Sequence, residues 1–386
     1  MNILHIMEDY KPTIGGSVVR NSHMIENYIR LDENNHAMIV NLDGSKYDYC
    51  SKEDGVYVYR AVNLLQQIKI AAQIIKKYNI DIIQAHNFRF LFVAFLARLL
   101  SGGRNPIYVE IHAMYHMSWY KEALSRILLK KVNKIIVLAE CAKQYLIDEY
   151  KLNPKKIFVV RNGIESNIKK EKISDLGFLE KISTLKNQYS IVLYTGSFYE
   201  WQGVNFISDE FDNILSNVPE IAIIMIGNGP DYNYVENNRL IARNKERILL
   251  HEGISKEEIL TVYDMADIIL IPRLKNLSTN TAVPLKAIEA MENCKCIVSA
   301  NDNGLKEILN SNNSFMFESG DSKSLIDAIK KAFSDEENRK TVSKKAFEDS
   351  KEMFVSWETC SKIMDSLYAE EKVMGEKRRG KVPRNI

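Results

Sequence analysis

Cysteine, proline and glycine are scarce in this chain of 386 residues, which has 5 Cys, 8 Pro and 17 Gly. The few scattered cysteines have neither the density of a disulfide framework nor the spacing of a zinc site, and they fit a reducing cytoplasm. The low glycine and proline content excludes collagen-like, repeat and low-complexity sequences. We therefore expect an ordinary globular protein.

A large net charge and a long hydrophobic run are also absent. The 52 Lys and Arg nearly balance the 50 Asp and Glu, which argues against a nucleic-acid binder held by a cationic surface. The longest apolar stretch, Phe90 to Leu100, contains Arg98 and has about half of the ~20 residues needed to cross a bilayer. The N-terminus, Met1 to Ile6, lacks the basic start and cleavage site of a signal peptide. We expect a cytoplasmic protein without a transmembrane helix.

Short apolar runs alternate with amphipathic stretches, a pattern typical of parallel strands joined by crossover helices. Because single cores stop growing near roughly 250–300 residues, the chain should form two of them. The sequence thus predicts an α/β protein with two Rossmann-like, doubly wound lobes. The predicted strands are Ile3–Ile6, Ala37–Asn41, Ile82–Ala85, Ile107–Ile111, Lys134–Ala139 and Ile157–Val160, then Ile191–Thr195, Ala222–Ile226, Ile248–His251, Ile268–Ile271, Cys296–Ser299 and Ser314–Phe317.

A polar run without periodicity begins at Glu165 and is interpreted as the linker. This predicts an N-terminal lobe over residues 1–165 and a C-terminal lobe over residues 166–354. An amphipathic helix from Trp357 to Tyr368 opens the segment 355–386, which is expected to pack back on the N-terminal lobe. The basic tail is either a solvated end or a contact with an anionic membrane.

Glycines follow predicted strand ends in both halves of the chain. In doubly wound sheets the ligands lie outside the carboxyl ends of the strands, so we expect the chemistry in the cleft between the lobes. Two glycine loops on neighbouring strand ends of the second lobe favour a bound nucleotide diphosphate, whereas the early pair could equally form a tight turn. No G-x-G-x-x-G fingerprint occurs, which disfavours a dehydrogenase. The residues are Gly15, Gly16, Gly196, Gly227, Gly229 and Pro230.

His112 directly follows the predicted strand Ile107–Ile111, where a polar side chain can point into the cleft. A satisfied histidine of the core or surface is the alternative. Arg161 to Ile164 ends the last strand of the first lobe, and its Asn-Gly pair favours a turn at a hinge or cleft wall.

Taken in order, these segments resemble the family 4 retaining glycosyltransferases of the GT-B fold. The resemblance covers most of the chain and implies transfer of a hexose-type sugar from a nucleotide diphosphate sugar to a saccharide acceptor in cell-surface polysaccharide biosynthesis. It implies no cofactor besides this substrate. The matching segments are Gly15-Gly16, Asp81–His86, His112, Arg161–Ile164, Gly196–Val204, Gly227–Pro230, Ala266-Asp267 and Pro284–Met291.

The resemblance implies that the Glu289 carboxylate accepts hydrogen bonds from the nucleotide ribose, the alternative being an exposed helix acid. The chain also departs from the family. Ser197 and Gln202 stand where an Arg and a Lys usually neutralise the donor diphosphate, and Thr281 stands where a first Glu of the paired-glutamate motif is usual. Ser197, Gln202 and Thr281 are still assigned to the donor site.

Arg273 and Lys286 could supply the missing charge, since Arg binds phosphate through two donors and Lys acts as a point charge. Arg273 follows a predicted strand, and Lys286 leads into the segment that carries Glu289. We assign Arg273, Lys286 and His112 to catalysis, the alternative for the two cations being surface side chains on loops. No Asp-x-Asp follows a predicted strand, so we expect no metal.

The acceptor should meet the first lobe, which has an excess of basic residues. In the helical stretch from Trp119, apolar residues lie beside basic ones: Ile127, Leu128 and Leu129 next to Arg126, Lys130 and Lys131. Such a helix can lie on an anionic bilayer, which suggests a lipid-linked saccharide acceptor, or it can pack on the core with a solvated face. Two other functions remain open: a catalytically impaired GT-B partner subunit, and a nucleotide-sugar epimerase, which needs no acceptor.

Overall fold

The structure is a computed structural model that describes residues 1–13, 15–42, 49–53, 55–165 and 171–379. It divides into two compact units: unit 1 comprises Met1–Gly163 and the chain from Val355 onward, and unit 2 comprises Ile164–Phe354. Each unit contains a largely parallel sheet with helical connections. The prediction of an α/β chain with two doubly wound sheets is thereby confirmed.

The strands alternate with helices along nearly the whole described chain. The strands are β1 (Asn2–Met7), β2 (His36–Leu42), β3 (Tyr49–Glu53), β4 (Val56–Ala61), β5 (Ile82–His86), β6 (Ile107–Ile111), β7 (Lys134–Val137), β8 (Ile157–Val159), β9 (Ser190–Thr195), β10 (Ile221–Ile226), β11 (Ile248–His251), β12 (Ile268–Ile271), β13 (Cys296–Ala300) and β14 (Phe315–Phe317).

Most helices connect successive parallel strands. They are α1 (Gly16–Leu31), α2 (Leu64–Lys77), α3 (Asn87–Ser101), α4 (Trp119–Lys131), α5 (Glu140–Asp148), α6 (Leu176–Lys186), α7 (Val204–Asp209), α8 (Phe211–Asn217), α9 (Tyr232–Glu236), α10 (Arg239–Arg243), α11 (Lys256–Met265), α12 (Leu277–Asn280), α13 (Leu285–Glu292), α14 (Asn303–Lys306), α15 (Ser322–Ser334), α16 (Glu336–Met353) and α17 (Trp357–Arg379), with 3₁₀ turns at Pro154–Lys156 and Glu200–Gln202. Among the described residues, no helix is long and apolar enough to cross a membrane.

The sheet of unit 1 has the order β3-β4-β2-β1-β5-β6-β7-β8, and only β3 and β4 pair antiparallel. The chain order reverses where β1 pairs with both β2 and β5. The sheet of unit 2 has the order β11-β10-β9-β12-β13-β14, with all neighbours parallel. It reverses between β9 and β12. The segments that follow β9, β10 and β12 therefore emerge at one edge of the sheet.

The strands form where apolar runs can be buried on both faces, as parallel sheets require. β10 is buried over its whole length, and so are β5 and β6. Helix starts are marked by side-chain caps. In α11, Ser255 accepts from the Glu258 N–H while the Glu258 carboxylate accepts from the Ser255 N–H, a reciprocal capping box.

The C-terminal helix α17 packs on unit 1, as the sequence predicted. The Trp357 ring stacks on His23 with centroids 5.1 Å apart, and the Ser361 hydroxyl donates to the Met24 carbonyl at 3.1 Å. The start of α17 also lies close to Gly163, since a Cβ on Gly163 would be 2.7 Å from the Trp357 backbone. The absence of a side chain at Gly163 thus allows close contact between these two segments.

Several boundaries differ from the predicted ones. The edge strand β3 and its neighbour β4 were not predicted. In β4 the buried Val56 and Val58 alternate with the less buried Tyr57 and Tyr59, so the strand does not appear as a continuous apolar run. β7 ends at Val137, before the predicted Ala139, and α17 continues to Arg379 instead of ending at Tyr368. Residues 166–170 of the predicted linker and 380–386 of the basic tail lie outside the described residues.

Gly203 gives a direct test of this packing. Its φ is 80°, and an added Cβ would lie 1.8 Å from the Pro272 carbonyl oxygen, so Gly203→Ala should lower the free energy of unfolding by about 2 kcal/mol or more. A Cβ on Gly253 would meet nothing within 4 Å, and Gly253→Ala should change stability by at most about 0.5 kcal/mol. Urea unfolding compares the two variants; equal losses would contradict the packing.

Candidate functional site

The two glycine loops of unit 2 lie side by side, as expected. The N–H of Gly196 donates to the Ile226 carbonyl at 3.0 Å, and the N–H of Phe198 donates to the Asn228 carbonyl at 2.8 Å. A Cβ on Gly227 would lie 1.8 Å from the Gly196 carbonyl oxygen. Only glycine allows this approach, and we call the segments 196–203 and 227–231 the paired glycine loops.

The Lys286 side chain lies against the first of these loops. A Cβ on Gly196 would come within 3.0 Å of Lys286 Nζ. The amine also donates to Tyr194 Oη at 3.3 Å and lies 4.4 Å from the centre of the Tyr194 ring. Ser197, in the place of the usual arginine, is the next residue along. Lys286 therefore brings a cationic group to the loop that lacks one.

Removal from water and, to a smaller extent, the Arg273 charge lower the pKa of Lys286 to about 7, although Glu289 acts in the opposite direction. Near neutral pH the amine is consequently divided between its charged and neutral forms. A bound anion would favour the charged form.

Arg273 is the second cation near the paired glycine loops. It is buried, and its Nη1 donates to the Ala282 carbonyl at 3.0 Å and lies 3.6 Å from Asp302 Oδ1. Asp302 also caps α14 by accepting from the Leu305 N–H at 3.0 Å. Its carboxylate therefore fixes the guanidinium at the end of β12, and Arg273 lies close enough to Lys286 to lower the pKa of its amine.

Glu289 lies about one turn after Lys286 in the interior of α13. Its carboxylate is 3.9 Å from Lys256 Nζ, which is also 2.9 Å from Glu165 Oε2. Burial raises the pKa of Glu289, while Lys256 and Lys286 act in the opposite direction. The side chain is thus a carboxylate beside two amines.

The other predicted donor residues have varied surroundings. The Thr281 hydroxyl donates to the Leu277 carbonyl at 2.7 Å at the end of α12, so it serves the backbone there. The Ser197 side chain is exposed, and its carbonyl accepts from Tyr194 Oη at 2.8 Å. The buried Gln202 Oε1 has no hydrogen-bond partner in the part of the chain that is described. Pro230 is exposed beside Gly229. Their role in donor binding stays a prediction.

In unit 1, His112 follows β6 as predicted. Its backbone N–H donates to Asn87 Oδ1 at 3.0 Å, and its Nε2 lies 3.3 Å from His86 Nδ1. The Nε2 atom is also 3.7 Å from Glu110 Oε1, and 11% of the side chain is exposed. Burial lowers the pKa of His112 to about 4, although Glu110 acts against this. His112 is therefore neutral at pH 7.

The sequence analysis did not identify the buried ion pair behind His112. Arg20 Nε donates to Glu110 Oε1 at 2.5 Å, and Gln84 Nε2 donates to Glu110 Oε2 at 2.7 Å. Burial alone would raise the pKa of Glu110, but Arg20, His112 and His86 lower it to about 2. The sequence signal that could have indicated this ion pair is the acidic Glu110 inside the otherwise apolar strand Ile107–Ile111.

The ligand atoms of His86, Glu110 and His112 lie within 4.8 Å of one another, close enough to hold a metal ion. The Arg20 guanidinium already contacts the Glu110 oxygen nearest to His112. Because that cation would repel a metal, the arrangement favours a hydrogen-bonded network.

Gly15 and Gly16 lie at the start of α1. Gly15 caps the helix, and a Cβ there would meet nothing within 4 Å, so none of the described residues fills the space beside it. Whether this glycine pair approaches the donor stays a prediction.

Helix α4 has a packed side and an exposed apolar side. Ser125 and Leu129 are buried, whereas Trp119 is 81% exposed and Ile127 is 53% exposed. Tyr120 and Leu124 are exposed as well. The core-packing interpretation thus holds for the buried side of the helix, and contact of the exposed side with a bilayer stays a prediction.

Two family descriptions match the chain. The one described as "Glycosyl transferases group 1" matches residues 178–349, which contain the paired glycine loops, Arg273, Lys286 and Glu289. The one described as "Glycosyltransferase Family 4" matches residues 50–167, which contain His112.

Similar proteins of known name include the capsular polysaccharide biosynthesis glycosyltransferase CapM of Staphylococcus aureus. It is 22% identical over 243 residues, which are 61% of this chain and 62% of CapM. The UDP-Gal:alpha-D-GlcNAc-diphosphoundecaprenol alpha-1,3-galactosyltransferase of Escherichia coli is 22% identical over 283 residues, 70% of this chain and 71% of that enzyme.

Solved structures share the fold over almost the whole chain. Anabaena Alr3699/HepE in complex with UDP and glucose has a TM-score of 0.77 at 17% identity, covering 95% of this chain and 99% of that one. The sucrose-phosphate synthase of Thermosynechococcus elongatus also reaches 0.77, at 15% identity, covering 97% and 100%.

The pKa of Lys286 predicts a pH-dependent stability. Because this pKa is about 7 in the folded protein instead of 10.5, the unfolded chain binds more protons between these values, and wild-type stability gains from rising pH there. Lys286→Met removes this titration. The free energy of unfolding of the variant, relative to that of wild type, should therefore be highest below about pH 7. Above pH 7 this difference should fall by at most about 1.4 kcal/mol per pH unit.

Urea unfolding at several pH values measures this difference. Lys245→Met, at an exposed lysine of the same unit, is the matched control and should run parallel to wild type. Parallel curves for Lys286→Met and wild type would show that the Lys286 amine titrates as in water.

Proposed function

We propose that this chain, which belongs to the family 4 glycosyltransferases of the GT-B fold, transfers a hexose-type sugar from a nucleotide diphosphate sugar to a saccharide acceptor with retention of configuration. The observation that carries the proposal is the position of Lys286 against Gly196 with Arg273 nearby. Ser197 and Gln202 stand at the positions where the family usually has an Arg and a Lys. Lys286 and Arg273 take over the role of those two cations.

The donor diphosphate would bind at the paired glycine loops of unit 2. Glycine allows the backbone to approach the phosphates closely, and Lys286 and Arg273 oppose their negative charge. Glu289 would accept hydrogen bonds from the ribose hydroxyls. HepE, whose fold is similar, has been solved with UDP and glucose, which supports a nucleotide sugar as the donor.

In the reaction, the bond between the sugar anomeric carbon and the diphosphate oxygen breaks as the acceptor oxygen bonds to that carbon from the same face. The acceptor proton passes to a donor phosphate oxygen, and the electron pair of the broken bond stays on the leaving diphosphate. Arg273 and Lys286 stabilise the developing charge, while neutral His112 contacts the transferred sugar. With two cations in this role, we propose that the reaction needs no metal.

The acceptor is proposed to be a lipid-linked saccharide in the synthesis of a cell-surface polysaccharide. The names of CapM and of the Escherichia coli galactosyltransferase support this pathway and this kind of acceptor. Trp119, Tyr120, Leu124 and Ile127 on α4, which we call the α4 apolar face, are exposed together, and Lys130 and Lys131 follow on the same helix. Aromatic and basic side chains in this combination suit the surface of an anionic bilayer.

Two substitutions test the donor site and the sugar contact separately. Glu289→Ala should weaken nucleotide diphosphate binding by roughly 1–3 kcal/mol, because the ribose hydroxyls lose their acceptor. His112→Ala should lower turnover at least about tenfold while that affinity stays within a factor of about three. Calorimetry measures the first effect and a steady-state transfer assay the second.

Glu236→Ala, at an exposed acid of unit 2, is the control and should leave both quantities unchanged. Excess EDTA in the same assay should leave the rate within about a factor of two, and a rate restored only by manganese would show that a metal takes the role given to the cations. Unchanged affinity in Glu289→Ala would remove that residue from the donor site.

The α4 apolar face predicts membrane binding. Replacing Trp119 and Ile127 by serine together should lower the affinity for vesicles containing anionic lipid at least about fivefold, because two exposed apolar anchors are lost. Leu65→Ser is the matched control, since Leu65 is 71% exposed on another helix of unit 1. Cosedimentation measures both; equal binding by the double variant and wild type would contradict the assignment.

A further inference from the structure

Three histidines from neighbouring strands form a continuous chain of ring contacts in unit 1. His5 Nδ1 lies 3.1 Å from His86 Nε2, and His86 Nδ1 lies 3.3 Å from His112 Nε2. We call these residues the histidine chain. Its inner end, His5, is buried, and His5 Nε2 has no hydrogen-bond partner among the described residues.

A cavity of about 10 Å³ adjoins the histidine chain, lined among others by His5, His86, Gln84 and Tyr368. This is just enough space for one water molecule, and the polar lining suits it. Such a water can accept a hydrogen bond from His5 Nε2 or donate one to it. The inner end therefore does not decide in which direction the hydrogen bonds between the histidines are donated.

At the outer end of the histidine chain, Glu110 decides in which direction the hydrogen bonds are donated. Its Oε1 is 3.7 Å from His112 Nε2, and Arg20 at 2.5 Å keeps the carboxylate charged. A carboxylate attracts an N–H and repels a nitrogen lone pair. The proton of neutral His112 is therefore favoured on Nε2, between Glu110 and His86.

One proton position fixes all the others, because each neutral imidazole carries one N–H and one lone pair. His112 Nε2–H donates to His86 Nδ1, His86 Nε2–H donates to His5 Nδ1, and His5 Nε2–H faces the cavity. The remaining nitrogen, His112 Nδ1, carries the lone pair. No described residue forms a hydrogen bond with it, and the His112 side chain keeps part of its surface exposed.

We propose that the histidine chain holds His112 with its proton on Nε2, so that Nδ1 accepts a hydrogen bond from a hydroxyl of the transferred sugar. His86 acts as a positioning residue through His112. The inference rests on the proposed contact between His112 and the sugar. It also narrows the donor to a neutral sugar with a hydroxyl at that point, because a sugar carboxylate there would face the Nδ1 lone pair.

The ring nitrogens of the full-length protein can be observed by ¹⁵N NMR after labelling with ¹⁵N-histidine, with His112→Gln assigning the signals. We expect His112 Nε2 to show the shift and proton coupling of an N–H, and Nδ1 those of an unprotonated nitrogen. A proton on Nδ1 would overturn the proposal, as would metal-bound shifts for both His86 and His112. This measurement needs no turnover, so it stands even if no nucleotide sugar is transferred, a result that would count against the proposed function alone.

A matched pair of variants tests the role of His86. In His86→Asn the amide lies near the former Nδ1 and can accept from His112, and turnover should stay within about threefold of wild type. His86→Leu has no acceptor, and turnover should fall at least about tenfold with nucleotide diphosphate affinity unchanged. Equal turnover in the two folded variants would overturn the proposal. If His86→Leu does not fold, the tautomer seen by NMR decides.

A pair of donors that differ only at the sugar tests the substrate class. A nucleotide hexose should be transferred with a kcat/KM at least about tenfold higher than the hexuronate on the same nucleotide. Preference for the hexuronate would overturn the assignment of Nδ1 as an acceptor.

Discussion

The buried ion pair between Arg20 and Glu110 is the interaction on which the organisation of unit 1 depends. It joins α1 to β6, and the same guanidinium donates to the carbonyl of Arg161. Arg161 lies just before the end of the N-terminal segment of unit 1 at Gly163. Gln84 links Glu110 to the hydroxyl of Tyr368 on α17. Burying two charges is costly unless both are well hydrogen-bonded, and removing one partner typically costs about 3–5 kcal/mol. Through Glu110, this pair thus links helix α17 on one side with His112 on the other.

The two units handle charge in different ways. Unit 2 places Arg273 and Lys286 near two glycine-containing loops, a combination that suits a diphosphate. Unit 1 keeps the histidines neutral beside a compensated ion pair, which suits an uncharged sugar. Although Ser197 and Gln202 stand where the family usually has cations, the first glycine loop still has a basic side chain beside it, because Lys286 approaches it from α13.

The sequence predicted the two parallel sheets because fully buried strands appear as apolar runs, as in β5, β6 and β10. It missed β4, the strand next to the edge of the sheet, where Tyr57 is exposed between buried valines. Arg273 and Lys286 were identified as candidate cations, but the contact between Lys286 and Gly196 depends on a strand, a loop and a helix coming together. Glu110 and Arg20 could not be paired from the sequence, since 90 positions separate them and nothing local indicates their partnership.

The central claim is transfer of a sugar from a nucleotide diphosphate sugar to another saccharide. The most direct test incubates the protein with isotope-labelled nucleotide sugars, with and without a lipid-linked saccharide, and follows the label by mass spectrometry. The account predicts that the label moves to the saccharide and that the nucleotide diphosphate is released in equal amount. A donor converted to its epimer without any acceptor, or a donor that binds and is never consumed, would contradict it.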